Sequence, residues 1–341
     1  MHCLPPGSEV SNLKARAVLV DMEEGVVKEL FKSKLGRLFD QHLYVTDVSG
    51  SGNNWGHGHH EYGPKYAPDV VEKVRKAAEG CDSLQSFFFM FSLGGGTGSG
   101  FGTYLLRELS DAFPDVYRFA SVIFPSEEDD VVTSPYNSVL ALHELTQHAD
   151  CVLPLENQRL MDMAIASTSS KSQGTTRPFA EMNTLAARLL TDLTCSMRFE
   201  GDLNIDLNEI TMNLVPFPSL KYLTCGLAPV AQQPSRSIDE AICSSFSEKC
   251  SFIGADSQGT RRPSTILAAG LLGRGALSVS DLTRSLGLLQ SGNGLSPTRG
   301  LRGTFNMVSW NPDGFKIGLC SVPPLGRPYS VLSIRNDTCM I

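Results

Sequence analysis

The sequence has no Cys-x-x-Cys pair, no excess of basic residues and no long apolar run. Each absence excludes a class. The nine cysteines are odd in number and irregularly spaced. Without paired spacing a structural zinc site is not expected, and the thiols read as reduced and mostly buried, in the manner of a cytosolic protein. Asp and Glu outnumber Lys and Arg by 36 to 29, for a formal net charge of -7. A general nucleic-acid binder usually carries a basic face, so nucleic acid is not an expected partner, although a local basic patch is compatible with the balance. The apolar runs are too short to span a bilayer. The opening MHCLPPGSEVSNLKAR lacks the apolar core of a signal peptide. No membrane partner is expected, and the cytosol is the default compartment.

What is present is alternation. Over 341 residues, 41% of them hydrophobic and 19% charged, there is room for one large domain or two medium ones. Strand patterns run at ARAVLVDM (15–22), FFFMFS (87–92), RFASVIFP (118–125) and CVLPLEN (151–157). Helix patterns lie between them, at YAPDVVEKVRKAAEG, FGTYLLRELSDAF and SPYNSVLALHELTQHA. Strand and helix in turn imply a parallel sheet with helices on both faces. Ligands of such sheets bind beyond the carboxyl ends of the strands. A polar stretch at 166–179 predicts a surface loop, and AEMNTLAARLLTDLTCSMRF a long helix. EGDLNIDLNEITMNLVPFP predicts a loop and a helix that stops at Pro216. Four further strands are predicted, in YLTCGLAPV, STILAAGLLGRG, GTFNMVSW and PYSVLSIRN, with helices at SIDEAICSSFSE and SVSDLTRSLGLLQ.

The run GGGTGSG, Gly94 to Gly100, joins a strand pattern to a helix pattern, and five of its seven residues are glycine. Glycine permits positive φ and close backbone approach. Consecutive N–H groups and a helix N-terminus attract an anion without any charged side chain. Phosphate binding is therefore expected despite the missing lysine, with a ligand-free tight turn as the alternative. The run is not a P-loop, which ends in Gly-Lys-Ser/Thr. Nor is it a dinucleotide fingerprint, because Phe101 stands at the third glycine.

Other candidates flank it. Asp21 and Glu23 follow the first strand, where acids either hold magnesium through water or open a helix. A second glycine-rich stretch, Asp47 to Gly63, offers Gly50, Gly52, Asn53 and Asn54 as further donors. Its His57, His59 and His60 lack the spacing of a helical zinc site and read as a solvent-facing loop. Asn157 and Asn183 carry amides suited to a guanine or ribose edge, or to caps and turns. Phe179 suits base stacking or core packing. Asp206 and Glu209 share one face if a helix starts near Asn204. They are then either acids favoured by the helix dipole or a source of a carboxylate that positions or deprotonates water.

Together these pieces resemble the tubulins. GGGTGSG, SPYNSVL (Ser134 to Leu140), RFEGDLNIDLNEITMNLVPFP (Arg198 to Pro218) and SWNPDGFKIG (Ser309 to Gly318) match that family in order and spacing. The likeness covers nearly the whole chain from about Ala15. KARAVLVDMEEGVV, SGSGNNWGHGH, DDVVTSPYNS, NLVPFPSLKYL and GLCSVPP are similar to the branch associated with centrioles and basal bodies.

The resemblance implies an α/β fold. A Rossmann-like, parallel-sheet guanine-nucleotide domain over residues 1–198, including a long core helix, joins a smaller α/β intermediate domain over 199–341. It implies GTP or GDP with Mg2+, other tubulin subunits as partners, and a cytoskeletal location at a microtubule organising centre, centriole or basal body. By position, Ser92, Gly95, Gly96, Thr97 and Gly98 cradle the phosphates. Gly52 and Asn53 cap the terminal-phosphate side, and Asp21 and Glu23 serve magnesium. Asn157 and Asn183 read the guanine and sugar, and Phe179 stacks on the base where tubulins often carry tyrosine. Asp129 or Asp130 falls in the ribose-side loop, with Asp130 taken as the contact. Glu209 stands where the alpha type carries a glutamate that promotes hydrolysis and the beta type a lysine. It is therefore expected to act in trans, on a neighbour's nucleotide.

Two departures accompany the likeness. Tubulins begin with a strand, a glutamine- and glycine-bearing phosphate loop and a helix ahead of the equivalent of Ala15, and end in two helices and a tail. The expectation is a chain partial at both ends, with exposed strand edges and an incomplete phosphate site. The expected function is a structural GTP-binding subunit, with hydrolysis at most between adjacent subunits. The alternatives are a fragment that binds partners without polymerising and a dinucleotide-dependent oxidoreductase, whose glycine spacing fails.

Overall fold

The alternation of apolar and amphipathic runs folds as alternating strands and helices. The computed structural model of the chain describes residues 14–126, 129, 131–167, 178–231, 237–254, 265–290, 307–311 and 314–340. It divides into two compact units, His2–Asp150 and Cys151–Ile341.

In the unit His2–Asp150, β1 (Leu19–Asp21) leads into α1 (Glu24–Lys32) and returns as β2 (Tyr44–Thr46). The two strands pair in parallel with Val20 opposite Val45. Glu24 in the first turn of α1 and Lys32 in the last both favour the helix dipole. Then come α2 (Trp55–His57), a wide turn over Gly58–Tyr62, and α3 (Gly63–Glu79). The run Gly94 to Gly100 follows β3 (Ser86–Ser92) and coils into a wide turn, Thr97–Gly102, that runs straight into α4 (Thr103–Ala112). β4 (Tyr117–Phe124) lies parallel to β3, Phe88 opposite Phe119, and α5 (Ser134–His148) completes the unit. Parallel strands need such helical crossovers. Ala67, Val70 and Val74 of α3 pack on Met22, Val45, Phe101 and Leu105 to form the core, as an apolar stripe at helical spacing should. β3 is less buried than its sequence predicts, with Met90 65% exposed.

The unit Cys151–Ile341 opens with β5 (Cys151–Glu156), α6 (Asn157–Ser167), α7 (Pro178–Leu193), α8 (Cys195–Arg198) and α9 (Leu207–Leu214). It continues with β6 (Thr224–Ala228), α10 (Ile238–Ser245), β7 (Ile266–Gly275), α11 (Val279–Gln290), β8 (Phe315–Cys320) and β9 (Tyr329–Asp337). The four-stranded sheet has the order β6-β9-β7-β8. β9 runs antiparallel to β6 and β7, while β8 runs parallel to β7. Every residue of β7 is buried. Ile242, Ile266, Leu271, Leu282, Leu319 and Val331 form the core around it.

Three expectations change. The long helix is interrupted at Thr194, whose hydroxyl donates back to the Leu190 carbonyl at 2.8 Å; threonine bonded in this way bends helices. β8 was not expected, because Lys316 and Gly318 interrupt its apolar pattern, yet pairing with β7 overrides that. The predicted strand GTFNMVSW lies partly outside the described residues, and Met307 makes only an isolated bridge to Ile266. Residues 168–177 of the polar stretch also lie outside them. Among the described residues Cys81, Cys195, Cys225, Cys243, Cys250 and Cys320 form no disulfide, and burial pushes the Cys225 thiol up to about 12. Among the described residues no helix is long and apolar enough to cross a membrane.

Candidate functional site

Two glycine-bearing loops meet in the unit His2–Asp150. The first leaves β2 and turns through left-handed backbone at Gly50, Gly52 and Asn53, with φ of 62, 58 and 52°. Asn53 is the single non-glycine residue with positive φ among those described, a conformation that asparagine tolerates better than most. The second loop is Gly94 to Gly98. Ser51 Oγ lies 3.1 Å from Thr97 Oγ1 across the junction. A Cβ on Gly96 would stand 2.5 Å from the Asn54 nitrogen and 2.6 Å from Ser51 Oγ, so glycine there is a packing requirement. Gly52, in contrast, has open space where a Cβ would be.

Asn137, buried on α5, ties the loops together. Its Nδ2 donates to the carbonyls of Asn53 and Gly94, each at 2.8 Å, and its Oδ1 accepts from the Trp55 N–H at 2.9 Å. Thr133 Oγ1 adds a bond to the Asn53 carbonyl at 2.7 Å. The carbonyls of Asn53 and Gly94 are thus drawn toward α5. The N–H groups of Gly95 and Gly96 have no acceptor among the described residues, and the first N–H groups of a helical turn lack internal partners. Ser92 sits exposed at the end of β3, its Oγ accepting from the Gly94 N–H at 3.3 Å. Such a cluster of backbone donors fits a phosphate group.

The acids lie beside this cradle. Glu23 precedes α1 with its N–H on Asp21 Oδ1 at 3.2 Å, and its carboxylate would meet a Cβ on Gly50 at 3.3 Å. Glu23 therefore reaches the first loop, and Asp21 is bonded to its backbone. Their oxygen donors have the chemistry magnesium takes, though no group of three or more ligating side chains is preformed among the described residues. Ser134 Oγ donates to Asp129 Oδ2 at 2.7 Å, which ties the segment after β4 to α5. Asp130 lies outside the described residues. Asp47 is held below the ordinary carboxylate value, first by the Tyr66 hydroxyl, which donates to it at 2.5 Å.

The histidines are not in a loop, although His60 does face solvent. They belong to the helical stretch 55–62, and His59 is 4% exposed, stacked on Trp55 with ring centroids 4.4 Å apart. The aromatic stack is what buries it, a contact that the glycine-rich composition concealed. His59 Nε2 lies 4.0 Å from Glu144 Oε2. Burial holds its pKa below 6.5, opposed by Glu144.

The remaining candidates lie in the unit Cys151–Ile341. Asn157 is the first residue of α6. Phe179 and Asn183 stand one turn apart on α7, Phe179 being 69% exposed. Core packing is therefore not the role of Phe179. α9 begins at Leu207, later than Asn204, so Asp206 is its N-cap and does not share a helical face with Glu209. The Asp206 carboxylate accepts the Glu209 N–H at 2.7 Å, and Glu209 Oε1 lies 3.3 Å from Lys316 Nζ. Asn137 and Lys316 are not among the candidates that the sequence singles out, although each makes contacts to candidate residues. Both sit inside quoted motifs, but nothing in the sequence alone identifies their partners.

Two family models match the chain. Residues 7–164 match the Tubulin/FtsZ family, GTPase domain, and residues 218–341 match the Tubulin C-terminal domain. Tubulin epsilon chains of Mus musculus and Homo sapiens are each 46% identical over 97% of this chain and 72% of their own length. A tubulin beta-2 chain of Suillus bovinus is 35% identical over 95% of this chain and 70% of its own.

Proposed function

The chain belongs to the tubulin family, and from that premise we propose that it binds guanine nucleotide at the two glycine loops as a cytoskeletal subunit of the epsilon type. The carrying observation is the clamp by Asn137, which turns two loop carbonyls inward and leaves N–H groups for phosphate. The nucleotide domain is taken to span residues 1–198 and the intermediate domain 199–341.

In this reading Ser92, Gly95, Gly96, Thr97 and Gly98 hold the phosphates, with Gly52 and Asn53 on the terminal-phosphate side. Asp21 and Glu23 carry the magnesium, which offsets phosphate charge when bound. Asn157 and Asn183 read the base and sugar, Phe179 stacks on the base, and Asp130 meets the ribose. The exposure of Phe179 supports its part. The 46% identity to tubulin epsilon chains supports a location at centrioles or basal bodies. Chromatography of the small molecules released on denaturing the purified chain tests the first claim. GTP or GDP is expected, and the absence of any guanine nucleotide overturns it.

Hydrolysis is assigned to an assembled pair of subunits. The Glu209 carboxylate receives the proton of a water that attacks the neighbour's terminal phosphate, and GDP leaves. Glu209→Ala is expected to slow phosphate release in a mixed polymer by roughly 100-fold, within the range for loss of a general base. The chain's own nucleotide content should not change. Loss of that content instead sinks the assignment.

A further inference from the structure

We propose that Lys316 is the positioning residue for Glu209, a proposal that rests on the reading of Glu209 just given. The backbone of Glu209 is already fixed: its N–H is bonded to the Asp206 cap, and its carbonyl accepts from Asn213 Nδ2 at 2.7 Å. The side chain has three rotatable bonds beyond that anchor. Lys316 Nζ, 3.3 Å from Oε1, is its ion-pair partner.

The lysine is well placed for this. Lys316 lies on β8 opposite Gly270 of β7, in the buried sheet. Leu214 of α9 packs 3.2 Å from the place a Cβ on Gly270 would occupy. The helix that carries the acid and the strand that carries the base are thus seated on one stretch of β7. The two side chains remain partly exposed, at 42% for Glu209 and 32% for Lys316. A pair that open to water contributes little to folding stability. Its effect is to hold the carboxylate in one direction and to neutralise it. A lone carboxylate would repel the phosphates of an incoming subunit, whereas the pair has no net charge. Met212, on the same helix face three residues after Glu209, is 73% exposed, and Phe217 is exposed just beyond the helix. This face is left bare by the described residues, and a second tubulin subunit carrying GTP is the occupant the charge pair suits.

The test is phosphate release per polymerised subunit in mixed polymer with a partner tubulin and GTP, read as a function of chain concentration. Lys316→Met is expected to lower maximal turnover roughly tenfold, the scale of a misaimed catalytic group, at an unchanged half-maximal concentration. Lys316→Gln, which keeps a long polar stem without charge, should repeat the loss, and Lys316→Arg should restore most of the rate. In a Glu209→Ala background Lys316→Met should add nothing, because the lysine acts through the acid. Slow turnover with Glu209→Ala but normal turnover with Lys316→Met and Lys316→Gln overturns the proposal and leaves Glu209 standing. Additive losses in the double variant also overturn it. Normal turnover with Glu209→Ala overturns the reading of Glu209 itself, and the role of Lys316 with it.

Discussion

Asn137 concentrates more of the site's architecture than any glycine does. It holds two carbonyls and one N–H from two loops that are distant in sequence. Asn137→Ala leaves the Trp55 N–H without its acceptor, at about 1–3 kcal/mol, while Thr133 still meets the Asn53 carbonyl and Ser134 the Gly94 carbonyl. Chemical denaturation should show that penalty, together with faster nucleotide release. Unchanged stability would mean that water replaces the amide. His59 supplies a pH signature. Burial lowers its folded pKa below 6.5, and burial lowers that of His148 as well, both beside Glu144. The unfolded chain therefore takes up protons first. The stabilising contribution is complete above about pH 6.5 and is lost as pH falls through the lowered folded value. Arg107 and His60 oppose charging of His59, while Glu144 favours it. His59→Phe, which keeps an aromatic ring against Trp55, should flatten the fall in stability on acidification. An equally steep fall in that variant removes His59 as the cause.

At the scale of elements, caps do what composition only hinted at. Asp206 starts α9 by bonding the N–H of Glu209. Asp206→Ala is expected to cost about 1 kcal/mol of stability and to slow the turnover that depends on Glu209; a variant with normal stability and turnover would show that the cap is dispensable. The sequence already contained the acids and their spacing, but the helix starts at Leu207 and not near Asn204, and that decides whether they share a face or one caps the other. α3, α4 and α5 were legible because their apolar residues recur at helical spacing. β8 was not, because its strand character comes from its neighbour β7. The same holds at the glycine loops. Their donors could be read from residue type, while the amide that aligns them could not, since its partners lie 43 to 84 residues away in sequence.

At the scale of the molecule, the two units are built differently. The unit His2–Asp150 carries its candidate chemistry on loops after short parallel pairs, β1 with β2 and β3 with β4. Loops of this kind hold few buried apolar contacts and open at low free energy. The unit Cys151–Ile341 is centred on β7, whose residues are all buried between β8 and β9. A strand without an outward face has no local route to solvent. Its amide hydrogens are expected to exchange with heavy water only when the whole unit opens, while those of Gly52 and Asn53 exchange through local motion. Mass spectrometry of deuterium uptake should place β7 last, and early labelling there would contradict this. The buried strand thereby becomes a built-in clock: its labelling rate measures how often the unit comes apart as a whole, whatever happens at the loops.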